Sequence, residues 1–356
     1  MSIHRYLKLT EPAQRDVLAR AKGPIGLSLE SIEKDIYVCL FLDKVMSLPE
    51  IGPHITFKGG TSLSKAHKIT ERFSEDVDLV VDRTVLGLGD DGIPGQHHSP
   101  RQQKERAKKI AKACYAWAGT TLLPALRAAI AEELPKSDWK LSLAPHSDNH
   151  ETVITFSYPK LIGSSGYLLE DVKVDLVAKA DTWPNAHMPI RAYIHELFPD
   201  ELGAGLFQAR TLNAERTLIE KALLLHEVLV QRPDGPRLRL SRHYFDLYFL
   251  HRAGVAEMAK AQADLYPAVV EHRSIYYRYP GVDYAALRRE GFTIIPQGAA
   301  REAWKQDYDG MQRDMFYGAV PAFDDIMTAM EQFQATFREH LQQTTSAPSS
   351  RQHEHP

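Results

Sequence analysis

Asp76 and Asp78, in the run Arg72-Phe73-Ser74-Glu75-Asp76-Val77-Asp78-Leu79, work as a pair only if the chain around them is extended. On a strand, residues two apart project from the same face, so both carboxylates would point one way. Hard oxygen ligands in that arrangement suit Mg²⁺, which is ordinarily held by one or two carboxylates together with the phosphates of its substrate. Upstream, Lys58-Gly59-Gly60-Thr61-Ser62-Leu63-Ser64-Lys65 supplies the complementary half. Gly59 and Gly60 let backbone N–H groups approach a phosphate with no side chain in the way, and a following helix would point its positive end there. Thr61 and Ser62 add hydroxyls. Lys65 and Arg72 lie between the two halves, where a transferring phosphate gathers charge that needs donors.

The elements that must position these groups follow from the pattern around them. A strand over 55–57, a glycine turn, a short helix carrying Lys65 and Lys68, and a second strand ending in Leu79-Val80-Val81 would bring loop and acids onto adjacent strands. Before them, Ser28 or Ser31 can cap a helix with Ile32, Ile36, Cys39 and Leu40 at helical spacing, running to about Met46. A Gly/Asp/Pro-rich loop over 86–100 reads as a solvated insertion, with a substrate lid as the alternative, and is followed by helices near 101–117 and 122–133. Strands are expected at 140–143, 153–158, 167–178 and 190–194, and antiparallel pairing of these with the motif strands would give one mixed sheet. From Leu212 the pattern turns helical, over 212–230, 242–252, 255–265 and 322–341. The predicted fold class is therefore mixed α/β. A catalytic domain over 1–205 would be followed by a helical domain over 206–343 that completes the active-site cleft, and by a disordered tail over 344–356.

Composition narrows the class. The chain has 356 residues, a formal net charge of -3 and 25% charged residues, the make-up of an ordinary globular protein without a general basic coat for nucleic acid. Cys39 and Cys114, its two cysteines, sit in apolar helical patterns and read as small core residues, which fits a reducing cytoplasm. The start, Met1-Ser2-Ile3-His4-Arg5, lacks the apolar stretch of a secretion signal, and the run 36–42 is too short to cross a bilayer. A cytoplasmic, non-membrane protein, monomeric by default, is the expectation.

The glycine pair followed by Asp-x-Asp resembles the signature of the DNA polymerase beta-type nucleotidyltransferase superfamily. More narrowly, residues 59–65 and 72–79 resemble the AbiEii/AbiGii family of nucleotidyltransferase toxins, and the likeness extends from about Ser28 to the last helices. It implies a polymerase beta-like mixed sheet with flanking helices, an NTP substrate, Mg²⁺ as cofactor and a cognate antitoxin encoded nearby. It also implies a third carboxylate on a neighbouring strand. In Asp171-Val172-Lys173-Val174-Asp175-Leu176-Val177, alternation sets Lys173 and Asp175 on the face opposite Val172, Val174 and Leu176, and Asp175 matches that position. In Glu215-Arg216-Thr217-Leu218-Ile219-Glu220-Lys221, Lys221 matches a lysine the family places near the nucleotide phosphates. In Ser241-Arg242-His243-Tyr244-Phe245-Asp246, Asp246 matches an active-site acid with Arg242 nearby, although Arg242 and Asp246 can also simply pair along one helix face. Many relatives carry an aspartate where His243 stands. The resemblance further marks Ser74 as a hydroxyl open to phosphorylation by a kinase-like antitoxin, an off-switch set against the plainer reading of a turn-forming serine.

Basic residues cluster at 101–112 and 232–242, and arginines alternate with tyrosines over 272–279, a pattern suited to phosphates and unpaired bases. The resemblance implies tRNA as acceptor, extended at its 3′ end so that translation stops. Two rivals stand beside it: transfer to protein or small-molecule hydroxyls, and a non-catalytic regulator that binds nucleotide or RNA.

Overall fold

The computed structural model describes residues 4–74, 76–89, 92–134, 138–146, 152–163, 170–316 and 318–346. They form two compact units, Met1–Asn213 with Asp314–Val320, and Ala214–Arg313 with the chain from Pro321 onward.

The first unit opens with helices α1 (His4–Leu7), α2 (Glu11–Ile25) and α3 (Leu29–Ser47). Gly26, left-handed at φ +76°, ends α2, and the Ser28 side chain accepts the Ser31 N–H to start α3. Apolar residues surround α3 on nearly every side, as expected of a helix inside the fold. Ile32, Ile36, Cys39, Leu40, Phe41 and Leu42 are all buried. Then come β1 (Ile55–Lys58), α4 (Gly59–Lys65) and β2 (Asp76–Val81), and α5 (Pro100–Trp117), which is closed at its start by a Ser99/Gln102 capping box. A π-helical turn over 118–122 leads into α6 (Leu123–Glu133). The remaining elements are β3 (Lys140–Leu143), β4 (Thr152–Ser157), β5 (Val172–Val177), β6 (Asn185–Ile190), α7 (Tyr193–Leu197), α8 (Pro199–Leu202) and β7 (Phe207–Leu212).

The seven strands form one sheet in the order β3-β4-β5-β2-β1-β7-β6. It is mixed, as predicted, but the expectation that the new strands pair antiparallel with the motif strands needs correcting. β5 runs parallel to β2 and β7 parallel to β1, because long crossovers separate each pair. A strand expected at 190–194 lies earlier, at Asn185–Ile190, and Tyr193–Leu197 is helical. β7 occupies residues read as loop and as the start of a helix.

Alternation on the central strands separates two jobs. Thr152, Ile154 and Phe156 on β4, and Val172, Val174 and Leu176 on β5, are buried, each apolar side chain contributing about 1.5–3 kcal/mol. Tyr37 and Phe41 of α3 meet Phe156, and Cys114 of α5 reaches Thr152. The opposite face carries Lys173 and Asp175.

The second unit is helical: α9 (Ala214–Gln231), α10 (Arg242–Arg252), α11 (Val255–Lys260), α12 (Leu265–Tyr276), α13 (Tyr284–Glu290), α14 (Gly298–Met315) and α15 (Phe323–Ser346). Phe323, Ile326, Met330, Phe333, Phe337 and Leu341 of α15 recur at three and four residues and are all buried. Tyr244 of α10 lies edge-on to Trp304 at 4.9 Å and donates its hydroxyl proton to the Ile294 carbonyl at 2.6 Å. α12, α13 and α14 fall outside the helices expected from sequence. The expected tail begins inside α15, and its residues from 347 onward lie outside the described residues, as do 167–169 of the expected strand. Among the described residues no helix is long and apolar enough to cross a membrane.

Candidate active site

The glycine turn is built by close approach. β1 delivers the chain to Gly59, whose φ of +81° is a conformation L side chains rarely adopt. A Cβ there would lie 2.0 Å from Asp78 Oδ2, and one on Gly60 would lie 2.1 Å from Arg72 Nη2 and 3.1 Å from Ser74 Oγ. The space freed by the two glycines is thus filled by an acid, a guanidinium and a hydroxyl. Thr61 Oγ1 donates to the Asp76 carbonyl and Ser62 Oγ to the Gly59 carbonyl at 2.9 Å, and both side chains are buried. Of these hydroxyls, both expected to meet a triphosphate, Thr61 fastens α4 to β2 and Ser62 closes the first turn of α4. Arg72, also buried, is joined through a backbone bridge to Phe316, and the Phe73 N–H donates to the Met315 carbonyl at 2.9 Å. The returning segment 314–320 therefore holds the loop that precedes the acids.

The acids share one face. Strand β2 runs parallel to β5 with Asp76 opposite Lys173 and Asp78 opposite Asp175. Residues opposite each other in neighbouring strands project the same way, so three carboxylates and one ammonium stand together on strands about 4.8 Å apart. Asp76, Asp78, Lys173 and Asp175 are each half-buried, and Val77, Leu79, Val172, Val174 and Leu176, which alternate with them, are buried. Lys173 Nζ lies 2.9 Å from Asp175 Oδ2. One oxygen of Asp76 is buried with no hydrogen-bond partner among the described residues, which suits a carboxylate that a cation would complete. Among the described residues no three acidic, histidine or cysteine side chains make a metal cage by themselves. A pair of carboxylates completed by phosphate oxygens needs none, and the residues present fit a hard divalent cation.

Lys65 corrects an expectation. Its ammonium is 2.7 Å from Asp35 Oδ1 and 3.0 Å from Oδ2, lies 3.6 Å above the Tyr193 ring, and both side chains are 3% exposed. Tyr193 donates its backbone N–H to the same carboxylate at 2.8 Å. Burial works against the charge on Lys65, but the Asp35 carboxylate outweighs it and holds the lysine above its ordinary value. Burial also raises Asp35, against the pull of Lys65. The lysine expected to neutralise phosphate instead anchors the end of α4 to α3. Lys68, expected on the same helix, lies beyond its end and pairs with Glu196 at 2.8 Å.

In the second unit, Lys221 of α9 and Asp246 of α10 form an ion pair at 2.8 Å, and Lys221 Nζ is 3.4 Å from His243 Nδ1. Asp246 is fully buried, while Arg242 is half-exposed one turn earlier. The partner Asp246 takes is thus a lysine on another helix. Arg273, part of the expected RNA-facing stretch, is buried against Glu227, with a 2.8 Å contact from Nε, and lies 4.9 Å from the Tyr277 ring. It belongs to the interior.

The family model described as "Nucleotidyl transferase AbiEii toxin, Type IV TA system" matches residues 40–329, well over half of the chain. The chain belongs to that family. It is a nucleotidyltransferase toxin of a type IV toxin–antitoxin system, with an NTP as substrate and an antitoxin as partner, in a family that generally uses a divalent metal. Among solved structures it is similar to MenT4, a nucleotidyltransferase toxin from Mycobacterium tuberculosis H37Rv, at 16% identity over 94% of this chain and 98% of that one, with a TM-score of 0.41. The assignment rests on the family match. No curated protein sequence matches the chain.

In this AbiEii toxin the residues that sequence reasoning passed over are Asp35 and Tyr193, while Lys173 is set on the face of Asp175 but given no role. A signal for Asp35 existed: Glu33-Lys34-Asp35 stands between Ile32 and Ile36 of the apolar helical pattern, and buried charges require partners. Glu33 finds its own in the Leu161 and Ile162 N–H groups, at 2.7 and 3.1 Å.

Proposed function

We propose that this toxin transfers a nucleotidyl group from a Mg²⁺-bound NTP to a hydroxyl of RNA, the 3′ end of tRNA, and so stops translation. The observation that carries the reading is the register of β2 and β5, with Asp76, Asp78 and Asp175 on one face and a buried, unpartnered oxygen on Asp76. Asp76 and Asp78 would hold the metal, which supplies charge stabilisation to the reacting phosphate when bound. Gly59 keeps Asp78 close to the turn, and Thr61 fixes the distance between that turn and β2. Asp175 receives the proton of the acceptor hydroxyl as its oxygen attacks the α-phosphorus. The new P–O bond forms as the bond from the α-phosphorus to the bridging oxygen breaks, and pyrophosphate departs with that electron pair. Lys221, oriented by Asp246, is assigned to phosphate charge by family position. The RNA half of the proposal leans on Arg101, Lys104, Lys109 and Lys112, all exposed along α5.

Ser74, whose hydroxyl lies against Gly60, is the proposed regulatory position: a phosphate there would add negative charge beside the acids and oppose binding of a metal–nucleotide complex.

The test is incubation of the protein with each α-³²P-labelled NTP and, separately, total tRNA, protein and small hydroxyl acceptors. Label is expected on tRNA, and Asp76→Asn should cut the rate by at least about 10²-fold. Label on protein alone would replace the acceptor, and equal rates for wild type and Asp76→Asn would remove the site.

A further inference from the structure

The acidic face carries its own cation. Three carboxylates on adjacent strands repel one another, and each further negative group that arrives, a triphosphate above all, makes the cost larger. Lys65 does not offset it, being sealed against Asp35. Lys173 stands in register with Asp76, contacts Asp175 at 2.9 Å, and has a side chain 36% exposed. A lysine is a flexible stem ending in a compact charge with three rotatable donors, so it can exchange one oxygen partner for another without backbone movement.

We infer that Lys173 is the resident counter-cation of this face: it neutralises the carboxylates in the metal-free protein and passes its ammonium to the triphosphate when a divalent cation and NTP bind. The inference rests on the metal and nucleotide reading proposed above, and deepens it by naming the group that exchanges partners. The two roles have opposite signs in a binding experiment. Without nucleotide, the ammonium competes with a divalent cation for the same negative field. With nucleotide, it adds a donor for phosphate.

The experiment is calorimetric titration of the full chain, wild type and Lys173→Met, with Mn²⁺ alone, and then with non-hydrolysable analogues of the four NTPs in Mg²⁺. Lys173→Met is expected to bind Mn²⁺ several-fold more tightly and the preferred analogue about tenfold more weakly, while Lys173→Arg stays near wild type in both. Circular dichroism melts confirm that the variants are folded, and Lys173→Gln replaces Lys173→Met if the latter is not. Asp76→Asn separates the two layers of the argument. If it leaves Mn²⁺ binding intact, the metal reading fails and the inference fails with it. If it abolishes Mn²⁺ binding while Lys173→Met changes neither affinity, or weakens Mn²⁺ binding, the counter-cation role alone is overturned.

Discussion

Two buried lysine–aspartate pairs, one in each unit, use the same chemistry to different ends. Lys65 is surrounded: both oxygens of Asp35, the Tyr193 ring and a backbone N–H to the same carboxylate leave its charge with nothing further to do. Lys221 has a fully buried acid on one side and counts a histidine ring nitrogen at 3.4 Å among its other contacts, and its side chain keeps 9% exposure. A lysine whose donors are all spent is an anchor. One whose neighbours include a polar, exchangeable group retains capacity for a ligand. Sequence gives both residues as a lysine in a short motif, so the distinction lives entirely in what the fold packs around them.

The sharpest way to break that comparison is to remove each ammonium. Replacing Lys65 by Met leaves Asp35 buried without its partner, an error worth about 3–5 kcal/mol, and denaturant unfolding of the full chain should show a loss of that size. Adding Asp35→Leu should recover much of it, because a well-packed apolar pair can substitute for a buried ion pair. Lys221→Met should show the reverse balance: a smaller stability loss, with transfer activity lower by about 10²-fold. Equal stability losses for the two variants, with activity tracking stability in both, would erase the difference.

A smaller effect sharpens the same distinction from the other end of α4. Gly59→Ala forces a Cβ to within 2.0 Å of Asp78 Oδ2 on a left-handed backbone, whereas Gly26→Ala, at φ +76°, meets nothing within 4 Å. Both should cost about 1–2 kcal/mol of backbone strain. Only Gly59→Ala should also lower activity, since Asp78 must move. Unchanged activity for Gly59→Ala would detach the turn from the acids.

How much of this was legible beforehand depends on sequence separation. The Asp76/Asp78 pair, the Asp175 face and the helical spacing of α3 follow from local periodicity, and each appears where the pattern sets it. The Lys65–Asp35 pair spans thirty residues and two elements, so no spacing rule reaches it. Parallel pairing of β2 with β5 is a property of crossovers and leaves no mark on either strand's composition. β6, with Pro189 and several exposed residues, is an edge strand whose alternation is weak, which is why its position was misjudged. Among the arginines of the Arg/Tyr stretch, Arg273 alone is turned inward: it pairs with Glu227 of α9, and composition does not reveal whether an arginine faces water or a buried glutamate.

The smallest expected effect concerns acid. His195 lies beside the Lys65–Asp35 pair, fully buried, with Nδ1 3.0 Å from the Gly203 carbonyl oxygen. Burial lowers its pKa below the ordinary value, against the pull of Gly203 and Asp35 and with the help of Arg191 and Lys65. A histidine held neutral when folded takes up a proton more readily when unfolded. Between its folded pKa and the unfolded value of about 6.5, the unfolded chain therefore binds more protons, and stability rises with pH. The contribution is complete above about pH 6.5 and is lost as pH falls through that window, with a slope of at most about 1.4 kcal/mol per pH unit for one site. His226 and His251 are lowered by burial too and act in the same direction. Denaturant melts from pH 7.5 down to about 5 should show the decline, and His195→Leu should flatten it by one histidine's share. A slope unaltered in that variant would mean that the anchor beside Lys65 opens to water, which would make the two lysine pairs more alike than their contacts imply.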